Sequence, residues 1–256
     1  MRPLTKSVRG ALGAGRQASE NAAVGARTRL RSGWDRVVLG GADPRGPRNR
    51  PADVLRFWFG RPPGPRFEVA DALWLPTRIP CWGGHWASRV LDVDAIITRF
   101  FGALHERAAK GELDEWRRTP DGRLALIIVL DQLSRNIYRG TVRAFAQDAR
   151  ALSIVEEALS EGDDRAFNPL ARTLLYLPLM HHENLELLDR CVQLYGAAHA
   201  DAPAVPRTVL SVELASARRH REIVSRFGRY PHRNRILGRE STPEELRFLE
   251  ERFSTF

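Results

Sequence analysis

The sequence predicts an all-α fold of antiparallel helical hairpins. Apolar residues recur at three- and four-residue spacing from Pro51 almost to the end of the chain, which marks one buried face on each of a succession of helices. Helix-opening and helix-closing chemistry brackets these stripes: Asn168-Pro169 and Thr242-Pro243-Glu244-Glu245 open helices, and Gly60, Gly111, Gly162 and Gly228 close them. No two neighbouring runs alternate apolar and polar residues, so no strand pair is expected.

Taken in order, Leu30, Trp34, Val37 and Val38 have the spacing of one short amphipathic helix inside an otherwise unstructured start. Val54, Leu55, Phe57, Trp58 and Phe59 begin the first core helix, stopped by Gly60 and the run Arg61-Pro62-Pro63-Gly64-Pro65. Residues 66–90 show no period and are expected to be irregular. Ile96, Ile97, Phe100, Phe101, Leu104 and Ala108 mark the next helix. Thr119-Pro120-Asp121-Gly122 has the chemistry of a turn. Leu124 to Leu130 is short enough for a buried strand, but it runs on into Asp131-Gln132-Leu133 with Leu and Ala inside it, so a buried helix is expected.

Phe145, Ala149, Leu152, Val155 and Leu159 predict the following helix. Leu170, Leu174 and Leu177 predict another, broken at Pro178. Leu185, Leu188, Val192 and Tyr195 form a further stripe, then Leu210, Leu214, Ala217 and Val224, and finally Leu246 and Leu249 behind Thr242.

Bulk composition excludes several functions. No run reaches the roughly 18 apolar residues that cross a bilayer, so no membrane span is expected. The two cysteines, Cys81 and Cys191, are far apart and in no metal-ligand spacing, which fits free thiols in a reducing, cytoplasmic setting. The net charge of +9 suggests nucleic acid until it is located. Residues 1–50 carry eleven Lys/Arg against three acids, which leaves 29 against 28 for residues 51–256. A polyanion-binding domain spreads positive charge over a folded face, so this asymmetry argues against a nucleic-acid partner. Residues 1–50 read as a disordered basic extension; organelle import is the competing reading if the source is eukaryotic. Residues 51–256 read as a single all-α domain.

Two arginine-rich stretches stand out. Asp131-Gln132-Leu133-Ser134-Arg135-Asn136-Ile137-Tyr138-Arg139-Gly140 follows directly on an apolar run. Arg226-Phe227-Gly228-Arg229-Tyr230-Pro231-His232-Arg233-Asn234 follows a helix, with no acid between Glu222 and Glu240. Burying guanidinium is expensive unless a planar anionic partner meets it, so arginines among aromatics, Gly and Pro point to a built polar site. Asp131 and Arg135, four apart, share a helix face and suit either an internal ion pair or an anion clamp. The second stretch suits an anion site, an arginine-rich cap on helix ends, or an RNA strip for which only Phe227 and Tyr230 could stack. His181-His182-Glu183 brings three donors together, but adjacent histidines diverge and no His-Glu-x-x-His spacing occurs, so no metal is expected. His220 falls on the polar side of its helix and reads as a surface residue. No Gly-rich phosphate loop, no Gly-x-Ser-x-Gly elbow and no nucleophile with a base is present, and the sequence leaves any cofactor unknown.

These motifs, with Val54-Leu55-x-Phe57-Trp58-Phe59-Gly60, Gly111-Glu112-Leu113-Asp114-x-Trp116, Ala144-Phe145-Ala146-x-Asp148, Tyr176-Leu177-Pro178-Leu179 and Leu237-Gly238-Arg239-x-Ser241-Thr242-Pro243-Glu244-Glu245, resemble the bacterial family catalogued as domain of unknown function 924 over about residues 52–251. The resemblance implies a tetratricopeptide-like helical fold and names no activity. Met180 stands where the family usually carries an acid, His182 where it carries Ser, and Leu133-Ser134 where it carries Phe-Pro.

The expectation is therefore a pocket for a small anionic molecule. Asp131, Arg135, Asn136, Arg139, Arg226, Arg229, Arg233 and Asn234 would bind it, and His181, Glu183 and His232 would be the candidates for proton transfer. The competing expectation is a helical-repeat scaffold that binds a protein or peptide.

Overall fold

The structure, a computed structural model, describes residues 49–60, 62–66, 93–251 and 254. The expected N-terminal extension up to residue 48, its short amphipathic helix and most of the irregular 66–90 stretch lie outside the described residues. Within them the chain is helical throughout, with no strand. Helix α1 is Pro51–Phe59 and α2 is Val93–Ala109. Helix α3 (Pro120–Ile127) runs through a wider π turn, Ile128–Leu133, into α4 (Ser134–Ile137). Then follow α5 (Asp148–Ser160), α6 (Pro169–His181), α7 (Leu185–Asp201), α8 (Ala204–Phe227), the short α9 (Asn234–Leu237) and α10 (Pro243–Leu249).

The α3–π–α4 rod is the centre of the fold. Every residue from Gly122 to Ser134 is buried, and α1, α2, α5 and α6 all pack on it. That explains the unbroken apolar run Leu124–Leu130, since a helix covered on all sides needs no polar face. Each such side chain contributes about 1.5–3 kcal/mol on burial, so this run anchors the core. Helices α6, α7 and α8 pack in succession, α7 against both chain neighbours, through connections at 182–184 and 202–203.

Local chemistry sets most of the ends. Asn168 accepts from the backbone N–H groups of Leu170 and Ala171, Asn184 from Leu187, and Thr242 forms a reciprocal capping box with Glu245. The buried stripe of α8 is the expected one, Leu210, Leu214, Ala217 and Val224.

Several details differ from the sequence reading, and Leu185 and Leu246, expected on buried stripes, are exposed. Thr119-Pro120-Asp121-Gly122 is the first turn of α3, not a free turn: Thr119 caps it by accepting from Gly122 N–H, and Pro120 sits at the first helical position. Pro178 lies inside α6 and does not break it. Its ring is buried, and the Tyr195 hydroxyl donates to the Thr173 carbonyl (2.8 Å) in the turn where a proline loosens the backbone ladder. The buried stripe of α5 is Ala151, Ile154, Val155 and Ala158, rotated from the expected one; Ala149 is exposed and Phe145 lies in a separate 3-10 turn, Val142–Phe145. His220 is buried rather than on the surface. It donates from Nδ1 to the Ser216 carbonyl and presents its ring edge to Tyr230.

Candidate functional site

The wide π turn Ile128–Leu133 carries Asp131 in among the packed helices. Such turns recur at functional sites. Asp131 is fully buried, and three side chains reach it. His181 Nδ1, at the end of α6, lies 2.7 Å from Oδ1. Gln132 Nε2 donates to Oδ2 at 2.6 Å. Arg135 Nη1, one helical turn on, is 3.0 Å from Oδ1 and also donates to the Asp131 backbone carbonyl.

Arg135 then extends the cluster to α5. Its Nη1 and Nη2 hold both oxygens of Asp148 at 3.0 and 3.1 Å. The bidentate partner of Arg135 is thus Asp148, and Asp131 takes a single bond. Arg233, in the Pro231–Arg233 turn after α8, enters from the other side. Its Nη1 donates to the His181 carbonyl (2.9 Å) and lies 3.8 Å from Asp148 Oδ2. The Phe145 ring packs against both guanidiniums, 4.7 Å from Arg233 and 5.7 Å from Arg135, and Tyr230 lies 4.6 Å from Arg233. The two arginine stretches, some ninety residues apart in the chain, therefore meet at Asp148 and Phe145.

Electrostatics fixes the protonation states. Burial would raise the Asp131 carboxyl, but Arg135, His181 and Gln132 outweigh it and hold Asp131 ionised, well below the usual carboxylate range. Burial and the neighbouring Arg135 push His181 down despite the pull of Asp131, so its ring is neutral near pH 7. A neutral imidazole facing an ionised carboxylate must carry its proton on Nδ1. The lone pair is then on Nε2, directed away from Asp131. Burial and Arg135 push the Arg233 guanidinium down to about 10, the mark of a buried cation with incomplete compensation.

The remaining expected site residues lie around this cluster. Glu183 accepts both terminal nitrogens of Arg239 (2.7 and 2.9 Å) and the Tyr230 backbone N–H (2.8 Å). Burial works against its ionisation, but Arg239 and Tyr230 hold it low, so Glu183 fixes the Tyr230–Arg233 turn as a saturated anion. His232 stacks on Tyr230, and burial together with Arg233 pushes it down to about 4.

Asn136 and Arg139 belong to a different group: both bind Asp94 on α2, Arg139 through Nε and Nη2. Arg229 grips Glu245 of α10 through the same edge (2.6 and 2.8 Å), and Asn234 Nδ2 reaches Ser241 and Glu245. Arg226 pairs with Glu244 on the surface and stacks on Phe227. These pairs tie α2 to α4 and α8 to α10. Tyr230 is fully buried and Phe227 packs on Phe248, so neither is placed to stack an RNA base.

Gln132, Phe145, Tyr230 and Asp148 complete the cluster without having been expected there. Phe145 and Asp148 did carry a signal, since both fall in one of the motif blocks quoted above. Met180, at the position of the family's usual acid, is buried and offers only its carbonyl to the Tyr230 hydroxyl (2.6 Å). Among the described residues no group of three His, Cys, Asp or Glu has the geometry of a metal site, and no helix is long and apolar enough to cross a membrane.

Fold and cluster together define an all-α protein with a buried acid–imidazole–guanidinium centre. The chain belongs to the family described as bacterial protein of unknown function, DUF924, whose model matches residues 54–252. It is similar to the solved structure of a protein of unknown function from Agrobacterium tumefaciens, with 38% sequence identity and a TM-score of 0.55, over 62% of this chain and 84% of that one. A comparison with curated proteins found no match.

Proposed function

We propose that the Asp131–His181–Arg233 centre binds a small anionic molecule and moves a proton on it. One observation carries this reading: His181 is held neutral by its Nδ1 bond to a buried carboxylate, with Nε2 directed away, beside a guanidinium that makes few hydrogen bonds. An orienting carboxylate, a neutral imidazole and a nearby cation are the parts of general-base catalysis on a charged molecule. In this mechanism Nε2 takes a proton from the bound molecule or from a water beside it. Asp131 stabilises the imidazolium that forms, and Arg233 holds the negative charge. Arg135 keeps Asp131 and Asp148 in place. Glu183 and Arg239 brace the turn that carries Arg233, while His232 packs behind it as a neutral ring. Arg139, Arg226, Arg229, Asn136 and Asn234 are outside this proposal. Residence in the cytoplasm belongs to it, supported by the buried free thiol of Cys191.

A second reading, a tetratricopeptide-like scaffold for a peptide partner, is favoured by Val205 and Val212, which lie two turns apart on α8 at 66% and 69% exposure. Thermal-shift screening against small carboxylates and phosphates separates the two. The proposal expects wild type and Arg229→Met to rise in melting temperature with the same compounds and Arg233→Met to lose the response. Equal responses in all three proteins would remove Arg233 from the site and the proposal with it.

A further inference from the structure

Arginine grips a carboxylate most firmly through the edge formed by Nε and Nη2, where two parallel N–H groups meet two oxygens. This chain uses that edge repeatedly: Arg123 on Asp163, Arg139 on Asp94 and Arg229 on Glu245 all bind through Nε and Nη2. Arg233 differs. Its side chain is only 8% exposed, yet its Nε has no hydrogen-bond partner, and its bond to His181 and its approach to Asp148 both use Nη1. Arg150 and Arg239 also leave Nε without a partner, but each spends Nη2 on a carboxylate. Among the described residues nothing takes the Nε/Nη2 edge of this buried guanidinium. Leaving a buried charged donor without a partner is costly, so such an edge is retained where a guest supplies the acceptor.

We infer that the Nε/Nη2 edge of Arg233 receives a carboxylate group of the ligand, coplanar with the guanidinium, so that the molecule bound at this centre is a small carboxylic acid anion rather than a phosphate. The inference rests on the reading of the centre as a small-anion site and names its ligand class. Shape supports the choice. Phe145 and Tyr230 pack against the guanidinium at 4.7 and 4.6 Å, which leaves the in-plane edge as the approach. A flat carboxylate lies in that plane with both oxygens on the fork. A tetrahedral phosphate meets the same fork with two oxygens and projects the others above and below it, toward the rings.

Charge points the same way. Asp131 and Asp148 already match Arg135 and Arg233 in number, so each added negative charge is unbalanced within the cluster, and a singly charged carboxylate costs less here than a phosphate carrying up to two charges. The same guanidinium holds the His181 carbonyl through Nη1, which ties the ligand's anchor to the residue that carries the base.

The test follows the Nε–H resonance of Arg233 by nitrogen–proton NMR in the full chain, assigned by its loss in Arg233→Lys. Sodium propionate and sodium phosphate are titrated at matched ionic strength. The expected result is a saturable shift of this resonance with propionate and a much smaller one with phosphate. Calorimetry should show propionate binding at least about tenfold weaker in Arg233→Lys, which keeps the charge but lacks the fork. Arg229→Lys serves as the fold-matched control and should bind as wild type does. Equal or tighter binding of phosphate, or full propionate affinity in Arg233→Lys, would overturn the carboxylate inference while leaving an anion site standing. Absence of any shift with either ion would overturn the inference outright; the thermal-shift screen on Arg233→Met would then decide the broader reading by itself.

Discussion

Replacing Asp131 by Asn tests whether the centre is held together by buried charge. The amide has the shape of the carboxylate and can still accept one hydrogen bond, so packing is conserved and charge alone is removed. Removing one member of a buried ion pair typically destabilises by about 3–5 kcal/mol, because the partner is left buried and unpaired. Here Arg135 retains both oxygens of Asp148, so the lower end of that range applies. The single amide oxygen can face either His181 or Gln132 Nε2, so one of these two donors loses its acceptor and meets an N–H instead, which keeps the effect from falling much further. The expectation is a loss of about 3 kcal/mol, a fall of roughly 6–12 °C in melting temperature for a domain of this size. Urea unfolding of wild type and Asp131→Asn, read by circular dichroism, gives the difference directly. Arg135→Met should be worse, since it leaves Asp131 fully buried with only neutral partners. A loss below about 1 kcal/mol in Asp131→Asn would refute the reasoning. The carboxylate would then be protonated or hydrated, and could not orient a base.

Three further outcomes are expected. Stability should fall on acidification below the ordinary histidine range: His220, pushed down to about 3 by burial, and His232, pushed down to about 4, stay neutral in the fold while the unfolded chain takes up protons first. A depressed histidine thus contributes stability above pH 6.5 that is lost as pH falls toward its folded value. For His220 alone this amounts to roughly 2 kcal/mol between pH 6.5 and 4.5 in urea unfolding, and His220→Asn, which keeps the donor to Ser216, should flatten that slope. Gly122→Ala should cost more than about 3 kcal/mol, because a Cβ there would collide with the Trp116 carbonyl oxygen; a near-neutral Ala variant would show that the Asp114–Arg118 turn readily gives way. Glu245, held down to about 2 by Arg229 with help from Thr242, should add an acid-labile increment that is present above pH 4.5 and fades toward pH 2; Arg229→Met should lose that increment in urea unfolding at successive pH values, yet respond to small anions as wild type does.

Much of the fold was legible because it is written locally. The caps at Asn168 and Thr242 and the stripe on α8 need only neighbours a turn away. The apolar run at Leu124 announced a buried helix for the same reason. What could not be read required partners distant in the chain. Pro178 breaks an isolated helix, but the packing that buries α6 outweighs a single missing backbone bond. His220 looked exposed from its own helix, because the Tyr230 ring that covers it arrives from the following turn.

The arginines show the same division. Their clustering in sequence was plain, but which acid meets which guanidinium was not. Asp94 is 45 residues from Arg139 and claims it; Asp148, read only as part of a motif, proved to be the hub that Arg135 and Arg233 share. Periodicity carries no information on such pairings. The π turn that delivers Asp131 to His181 was also invisible, since an apolar run has no face by which a change of helical pitch can be detected.

The tautomer of His181 is the most direct test of the account, observed by long-range nitrogen–proton NMR on labelled protein between pH 5 and 8. The account expects the form at pH 7 and above to be neutral and protonated on Nδ1, with Nε2 carrying the lone pair, and any protonation to begin below the ordinary histidine range. A ring that titrates near pH 6.5, or that carries its proton on Nε2, would contradict it.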